Sequence, residues 1–141
     1  NEKRKVLLTK KLKKILKNKL KNKIVTFLGV TFKPNTDDMR EASSIPMIKY
    51  LNKKDAKIKY YDPSGEKNEF KKLKNVIYCN NISSACIKSD LIVLHTEWND
   101  FKFLDFKKLV KKDNFKIFDM RNIYSPAKMK NQKINYFSIG R

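Results

Sequence analysis

Cysteine, histidine, glycine and arginine are all scarce in this sequence of 141 residues. There are two cysteines, Cys79 and Cys86, and one histidine, His95. That spacing matches no zinc or redox motif, so a metal site is not expected, and both thiols are read as reduced in a cytoplasmic protein. No apolar stretch approaches the roughly 18–20 residues that span a bilayer. The charged N-terminus lacks the apolar run and small-residue cleavage site of a signal peptide. Acidic residues are few, 14 Asp and Glu against 34 Lys and Arg, which leaves a formal net charge of +20. Such an excess suggests nucleic acid or an anionic membrane surface. However, only Arg4, Arg40, Arg121 and Arg141 are arginines, and the lysines run evenly from end to end. Nucleic-acid readers place arginine where its planar fork grips bases or phosphates. Diffuse lysine favours a solvated surface over a polyanion site, and neither a nucleic-acid nor a membrane partner is expected. Where so lysine-rich a sequence keeps an arginine, fork geometry becomes a reason for it.

What is present is enough for a folded domain. Hydrophobic residues make up 40% and aromatics 11% despite 34% charged residues, and this length supports one core. At the N-terminus, Leu8, Leu12, Ile15, Leu16 and Leu20 recur at helical spacing with lysines between them, which predicts an amphipathic helix over residues 1–23. Beyond it, β-rich runs alternate with helix-like segments. Strands are predicted at 24–29, 57–61, 75–79, 90–96, 115–119 and near 135–139, and helices near 44–53, 66–73, 82–88, 104–111 and 126–130. "IVTFLGV" and "LIVLH" are almost wholly apolar, as in strands covered on both faces. The alternation implies right-handed crossovers: a Rossmann-like three-layer α/β sandwich with a mostly parallel sheet, preceded by one amphipathic helix.

Ligands in such sheets sit beyond the carboxyl ends of the strands. The polar segments there are "TFKPNTDDMREASS", "DPSGE", "CNN", "TEWND" and "DMRNIYSP". A dinucleotide site would carry G-x-G-x-x-G after the first strand, but Gly29 stands alone. Asp62, ending the second strand, reads either as a ribose acid or as the start of a turn, since "DPSG" is good turn chemistry. Lys33 and Arg40 offer a point charge and a planar fork for an anion; alternatively Lys33 is one more surface lysine and Arg40 pairs with Asp37 or Asp38. Arg121 either joins Lys33 at the rim or pairs with Asp119. Ser43 or Ser44 is read as a helix cap, with Pro46 in the first turn. Trp98 reads as a packing anchor, and His95 as a strand residue without a nucleophile to serve.

Taken in order, "FLGVTFKPNTDDMREASS", "YYDP", "LIVLHTEWNDF", "IFDMRNIYSP" and "YFSIGR" closely resemble the C-terminal domain of the UDP-glucose/GDP-mannose dehydrogenase family. The resemblance covers about residues 22–141. It implies that 23–141 is a UDP-sugar-binding domain and that 1–22 is the end of the family's central, dimer-forming helical region. Family enzymes oxidise a nucleotide-sugar alcohol twice, to the carboxylate, reducing two NAD. The resemblance therefore implies an enzyme of the polysaccharide-precursor type, a homodimer, whose NAD is bound mainly by an N-terminal domain. Neither cysteine sits in the nucleophile's motif, so no catalytic residue is assigned, and this chain alone is expected to be inert.

Residue by residue, the resemblance places Lys33 and Phe32 against the UDP-sugar and Arg121 against the same ligand. It places Arg40 toward the NAD held by the other domain. One departure stands out: the glycine of the family's "FDGRN" motif is Met120 here. A demand for positive φ at that position would make methionine costly. "KPNTDDMRE" and "TEW" are closer to the family's UDP-glucose branch than to those acting on GDP-mannose or UDP-acetylaminosugars. A stand-alone nucleotide-sugar-binding or regulatory module is the alternative.

Overall fold

The computed structural model describes residues 2–140; Asn1 and Arg141, the last residue of the "YFSIGR" motif, lie outside the described residues. Six strands form one sheet: β1 (Ile24–Leu28), β2 (Lys57–Tyr61), β3 (Val76–Tyr78), β4 (Leu91–Leu94), β5 (Lys116–Asp119) and β6 (Asn135–Ser138). Their order is β3-β2-β1-β4-β5-β6, and every pair is parallel. The chain therefore moves outward from β1 in one direction, then returns to β4 and moves outward in the other. The reversal, between β1 and β4, opens the crevice in which a doubly wound sheet receives ligands. β1 and β4 are also the most buried strands; all of Leu91–Leu94 is inaccessible. This matches their unbroken apolar sequence.

Helices α2 (Ser44–Lys53), α3 (Ile82–Cys86), α4 (Phe106–Val110) and α5 (Pro126–Asn131) connect the strands. Right-handed crossovers put α2 on one face and α3, α4 and α5 on the other. One cluster holds Met47, Ile48 and Leu51 of α2 with Val25, Phe27, Leu91, Val93 and Phe118. The second holds Ala85, Phe106, Val110 and Met129 with Leu28, Ile92, Leu94 and Ile117. That chirality leaves the β4–β5 half of the α2 face without a crossover helix. The N-terminal helix α1 (Glu2–Ile15) covers it, adding Leu8, Leu12 and Ile15 to the same cluster as Leu91, Val93, Phe118 and Met120. Lys116 Nζ, at the start of β5, donates to the Ile15 carbonyl at 2.6 Å and ties the end of α1 to the sheet.

Two helices differ from their sequence-based prediction. α1 stops at Ile15 instead of running to residue 23. Asn18 N–H bonds to the Lys13 carbonyl (2.8 Å) and Lys17 N–H to the Lys14 carbonyl (3.0 Å), with Lys17 left-handed at φ 53°. This is a Schellman ending. Leu16 and Leu20 remain buried, so the periodicity reported burial beyond the helix. The helix expected over 66–73 is only a 3-10 turn, Asn68–Phe70. Phe70 anchors it in an edge-on contact with Tyr60.

Scarce glycine has a backbone consequence. Left-handed positions fall instead on asparagines such as Asn18, Asn22, Asn35 and Asn122, and on lysines such as Lys17, Lys88, Lys111 and Lys133. Lys111 ends α4 at φ 53° and ψ 44°, a conformation that costs an L-residue about 1–2 kcal/mol. Lys111→Gly removes that strain against a smaller gain in unfolded-state freedom. The expected outcome is a net stabilisation of roughly 0.5–1 kcal/mol, read as a rise of a few degrees in Tm by calorimetry.

Candidate functional site

The carboxyl ends of β1, β4 and β5 deliver their loops to one rim, and buried carboxylates hold those loops in shape. Asp62, just past β2, is wholly inaccessible. Its Oδ2 accepts the backbone N–H of Val30 (2.8 Å) and Thr31 (3.3 Å), and its Oδ1 accepts Ser64 N–H (2.9 Å) and Ser64 Oγ (2.6 Å). The turn reading of Asp62 therefore holds, with an added role: it pins the loop after β1. It has no exposed oxygen for a ribose. Asp119 does the same after β5, accepting Arg121 N–H (3.1 Å), Tyr124 N–H (2.9 Å) and Tyr136 Oη (2.6 Å).

Gly29 joins the two central loops. Its φ is +80°, and a Cβ there would lie 2.6 Å from Thr96 Cβ and 2.8 Å from Thr96 Oγ1. The lone glycine thus serves the approach of the β1 end to Thr96, not the approach of a pyrophosphate. With Asp62 enclosed and the turn filled by Thr96, these strand ends do not fit a dinucleotide.

Arg121 is the arginine that fork geometry explains. Its Nε donates to the His95 carbonyl at 3.0 Å and its NH2 to the Phe32 carbonyl at 3.2 Å. It does not pair with Asp119 through its side chain; that carboxylate meets its backbone N–H. One guanidinium thus ties the ends of β1, β4 and β5 together, and its remaining donors are left for a ligand. Met120 is buried in the core beside it and is not among the positive-φ residues; Asn122, at φ 54°, takes that conformation instead. Methionine in place of the family glycine therefore costs no left-handed strain here.

Phe32 and Arg121 line a cleft of about 390 Å³ together with Arg4, Lys5 and Leu8 of α1, and Glu41, Ser43 and Pro46. Three cations face it against a single acid, which suits an anion flanked by apolar surface. Arg4 and Lys5 carried no sequence signal toward this site, because only the packing of α1 on the β4–β5 half brings them there. Lys33 is exposed on the same loop, outside the cleft lining; its carbonyl accepts from Thr31 Oγ1 at 3.0 Å, while its ammonium has no hydrogen-bond or ion-pair partner among the described residues. Arg40 lies on the surface, its side chain 89% exposed. It makes a two-pronged pair with Asp38, Nε to Oδ1 at 3.0 Å and NH2 to Oδ2 at 3.1 Å, which holds the Asp38 carboxyl below its usual range. The pairing considered from sequence is thus the one present. A larger cavity of about 730 Å³ lies at the opposite, amino end of the sheet, lined by Asp90, Lys116 and Asn135 among others.

Sequence reading missed what lies beneath the cleft. Neither Ser43 nor Ser44 caps α2. Ser44 Oγ donates to the Val30 carbonyl at 2.6 Å, and Ser43 Oγ lies 2.9 Å from His95 Nε2. His95 Nδ1 lies 2.9 Å from Thr96 Oγ1, which donates to the Thr31 carbonyl at 2.9 Å. Except for His95 and its neighbour Thr96, these partners are 14 to 65 residues apart, so no spacing signal could have announced them. Trp98 packs against the second core cluster, and its Nε1 reaches Thr31 Oγ1 at 3.4 Å, in line with its reading as an anchor.

Burial, with a smaller contribution from Arg121 and Arg4, pushes the His95 imidazole down to about 3. The unfolded chain takes up this proton near pH 6.5 and the folded chain refuses it. Stability from this group is therefore complete above about pH 6.5 and lost as pH falls toward 3, amounting to about 2 kcal/mol by pH 5. Melting temperatures measured between pH 7 and pH 5 should fall in the parent chain and stay flatter in His95→Asn.

Neither thiol is activated. Burial pushes Cys86 up to about 12 and Cys79 above its ordinary value. Among the described residues there is no cluster of three or more His, Cys, Asp or Glu able to hold a metal ion, and no helix is long and apolar enough to cross a membrane.

The UDP binding domain of the UDP-glucose/GDP-mannose dehydrogenase family matches residues 26–126. A UDP-glucose 6-dehydrogenase of Rickettsia felis is 36% identical over 143 aligned positions, covering 99% of this chain and 32% of that protein. One of Rhizobium meliloti is 38% identical over 120, covering 83% of this chain and 27% of that protein. Among solved structures, the NDP-N-acetyl-D-galactosaminuronic acid dehydrogenase of Methanosarcina mazei superposes with a TM-score of 0.79 at 25% identity, covering 98% of this chain and 29% of that one. The UDP-glucose dehydrogenase of Pyrobaculum islandicum does so with 0.75 at 23% identity, covering 97% and 29%, a likeness of fold. The chain spans about a third of the length of the curated relatives it matches. With its all-parallel Rossmann-like sheet and its motifs in family order, the chain belongs to the UDP-glucose/GDP-mannose dehydrogenase family and corresponds to its UDP-binding domain.

Proposed function

We propose that this chain is the nucleotide-sugar-binding part of an NAD-dependent UDP-glucose 6-dehydrogenase, which converts UDP-glucose to UDP-glucuronate in two oxidations. The observation that carries the reading is the union of Arg121 and Phe32 across the sheet's switch point, in a cleft with Arg4 and Lys5. The diphosphate lies against these cations, Phe32 supplies apolar surface, and Lys33 approaches the same ligand from the exposed loop. Arg40 faces outward, where it contacts NAD held by another domain; releasing Asp38 frees its fork for that purpose. Residues 1–22 belong to the central dimerisation region and 23–141 to the nucleotide-sugar domain of a cytoplasmic homodimer. The chemistry itself falls to another part of that enzyme, and neither thiol here is activated. The UDP-glucose branch is favoured by its relatives' identities.

A thermal-shift titration with UDP, UDP-glucose, GDP-mannose and NAD tests this reading. A ligand at a hundred times its Kd adds about 2.7 kcal/mol of stability. UDP and UDP-glucose should raise Tm in the parent chain, less in Lys33→Ala, and not in Arg121→Ala. Stabilisation by GDP-mannose alone would move the chain to another branch of the family.

A further inference from the structure

His95 is the only histidine in the chain, and it is 1% exposed. Its two ring nitrogens have fixed and different partners, and these partners settle where its proton sits. Thr96 Oγ1 donates to the Thr31 carbonyl at 2.9 Å, and a carbonyl can only accept. The single Thr96 hydroxyl proton is therefore committed, so toward His95 Nδ1, 2.9 Å away, the same oxygen can only accept. Nδ1 must then carry the ring proton. A neutral imidazole has one such proton, which leaves Nε2 bare. The hydroxyl of Ser43, 2.9 Å from Nε2, must donate to it.

This orientation has a consequence in the cleft. Ser43 lines that space beside Arg4, Lys5, Glu41 and Arg121. With its proton aimed at His95, the Ser43 hydroxyl turns only lone pairs to a ligand. The arginines and the lysine are donors and suit phosphate oxygens. The Ser43 hydroxyl oxygen repels such oxygens and accepts from a neutral hydroxyl or N–H.

We propose that Ser43, held as an acceptor by His95, is a specificity-determining residue that binds an uncharged hydrogen-bond donor of the nucleotide sugar, a hydroxyl or the base's imide N–H. The proposal deepens the nucleotide-sugar reading and rests on it. His95 acts through Ser43 as a positioning residue. The cleft then reads its ligand at two ends, anionic against Arg121 and neutral against Ser43, so inorganic diphosphate satisfies only half of it.

Two measurements on this chain test the proposal. The first is a long-range proton–nitrogen NMR spectrum of the lone histidine at neutral pH. The expected result is a protonated Nδ1 and a bare Nε2; a protonated Nε2 overturns the proposal whether or not a nucleotide binds. The second is calorimetric titration of the parent chain and Ser43→Ala with UDP-glucose, UDP and inorganic pyrophosphate. Ser43→Ala should weaken UDP-glucose about five- to tenfold, the share of one neutral hydrogen bond, and leave pyrophosphate within about twofold. An equal loss with UDP assigns the donor to the uridine, and a loss confined to UDP-glucose assigns it to the sugar. Unchanged UDP-glucose affinity in Ser43→Ala, or an equal loss for pyrophosphate, removes this proposal alone. A parent chain that binds neither nucleotide removes the underlying reading as well.

Discussion

Gly29→Ala should cost this domain about 2–5 kcal/mol and abolish nucleotide binding at the rim. Two costs add. The residue sits at φ +80°, where an L-side chain is strained by about 1–2 kcal/mol. The new methyl would also stand 2.6 Å from Thr96 Cβ and 3.1 Å from Thr96 N. Neither atom is the end of a flexible side chain, so backbone must move, which typically costs a further 1–3 kcal/mol. Thr96 in turn holds the Thr31 carbonyl and His95, and the loop carrying Phe32 and Lys33 follows directly. Gly65→Ala is the matched control. Gly65 also has positive φ, +98°, but a Cβ there meets nothing within 4 Å. Denaturant melts of the two variants separate backbone strain from collision. Equal, modest losses in both would show that the approach of Gly29 to Thr96 is not tight in solution.

Asp62→Ala should be comparably severe, about 3–5 kcal/mol. The wild-type carboxylate satisfies the buried N–H groups of Val30 and Thr31 and both donors of Ser64. Alanine leaves these without an acceptor, at about 1–3 kcal/mol for each buried donor. Asp62→Asn keeps one acceptor oxygen and should lie between the two. This ordering distinguishes a loop-holding acid from a ribose-binding one. If Asp62→Asn kept full stability in urea melts and lost only ligand affinity, the carboxylate would be facing a ligand after all.

The central strands β1 and β4 were legible in the sequence because burial on both faces leaves an unbroken apolar signature, and the outer strands because β-rich runs alternate with helix-like segments. All six were found, each within one or two residues of its ends. The rim was legible too, since parallel strands send all their carboxyl-end loops to one side. Lys33, Arg40 and Arg121 could be placed there before any side chain was seen. What sequence could not supply was the partner of each polar group. Ser43 and Ser44 carried the composition of a helix cap, yet tertiary partners at Val30 and His95 claimed both hydroxyls. Arg121 had a carboxylate two residues away, and its side chain went instead to two carbonyls in the loops that follow β1 and β4. Asp62 looked like turn chemistry, and its grip on Val30 and Thr31 came only with the pairing of β1 to β2. Local propensity is written in neighbours, whereas these bonds join loops that meet only after the sheet has formed.

The central claim is that a nucleotide diphosphate sits at the switch point of the sheet, against Arg121. Mapping backbone amide shifts of the isotope-labelled chain during titration with UDP tests it most directly. The account predicts saturable shifts at residues 30–33, 41–45, 95–98 and 120–123, absent in Arg121→Ala. Shifts confined to the lysine-lined cavity at the amino end of the sheet, around Lys17, Lys116 and Lys133, would contradict it.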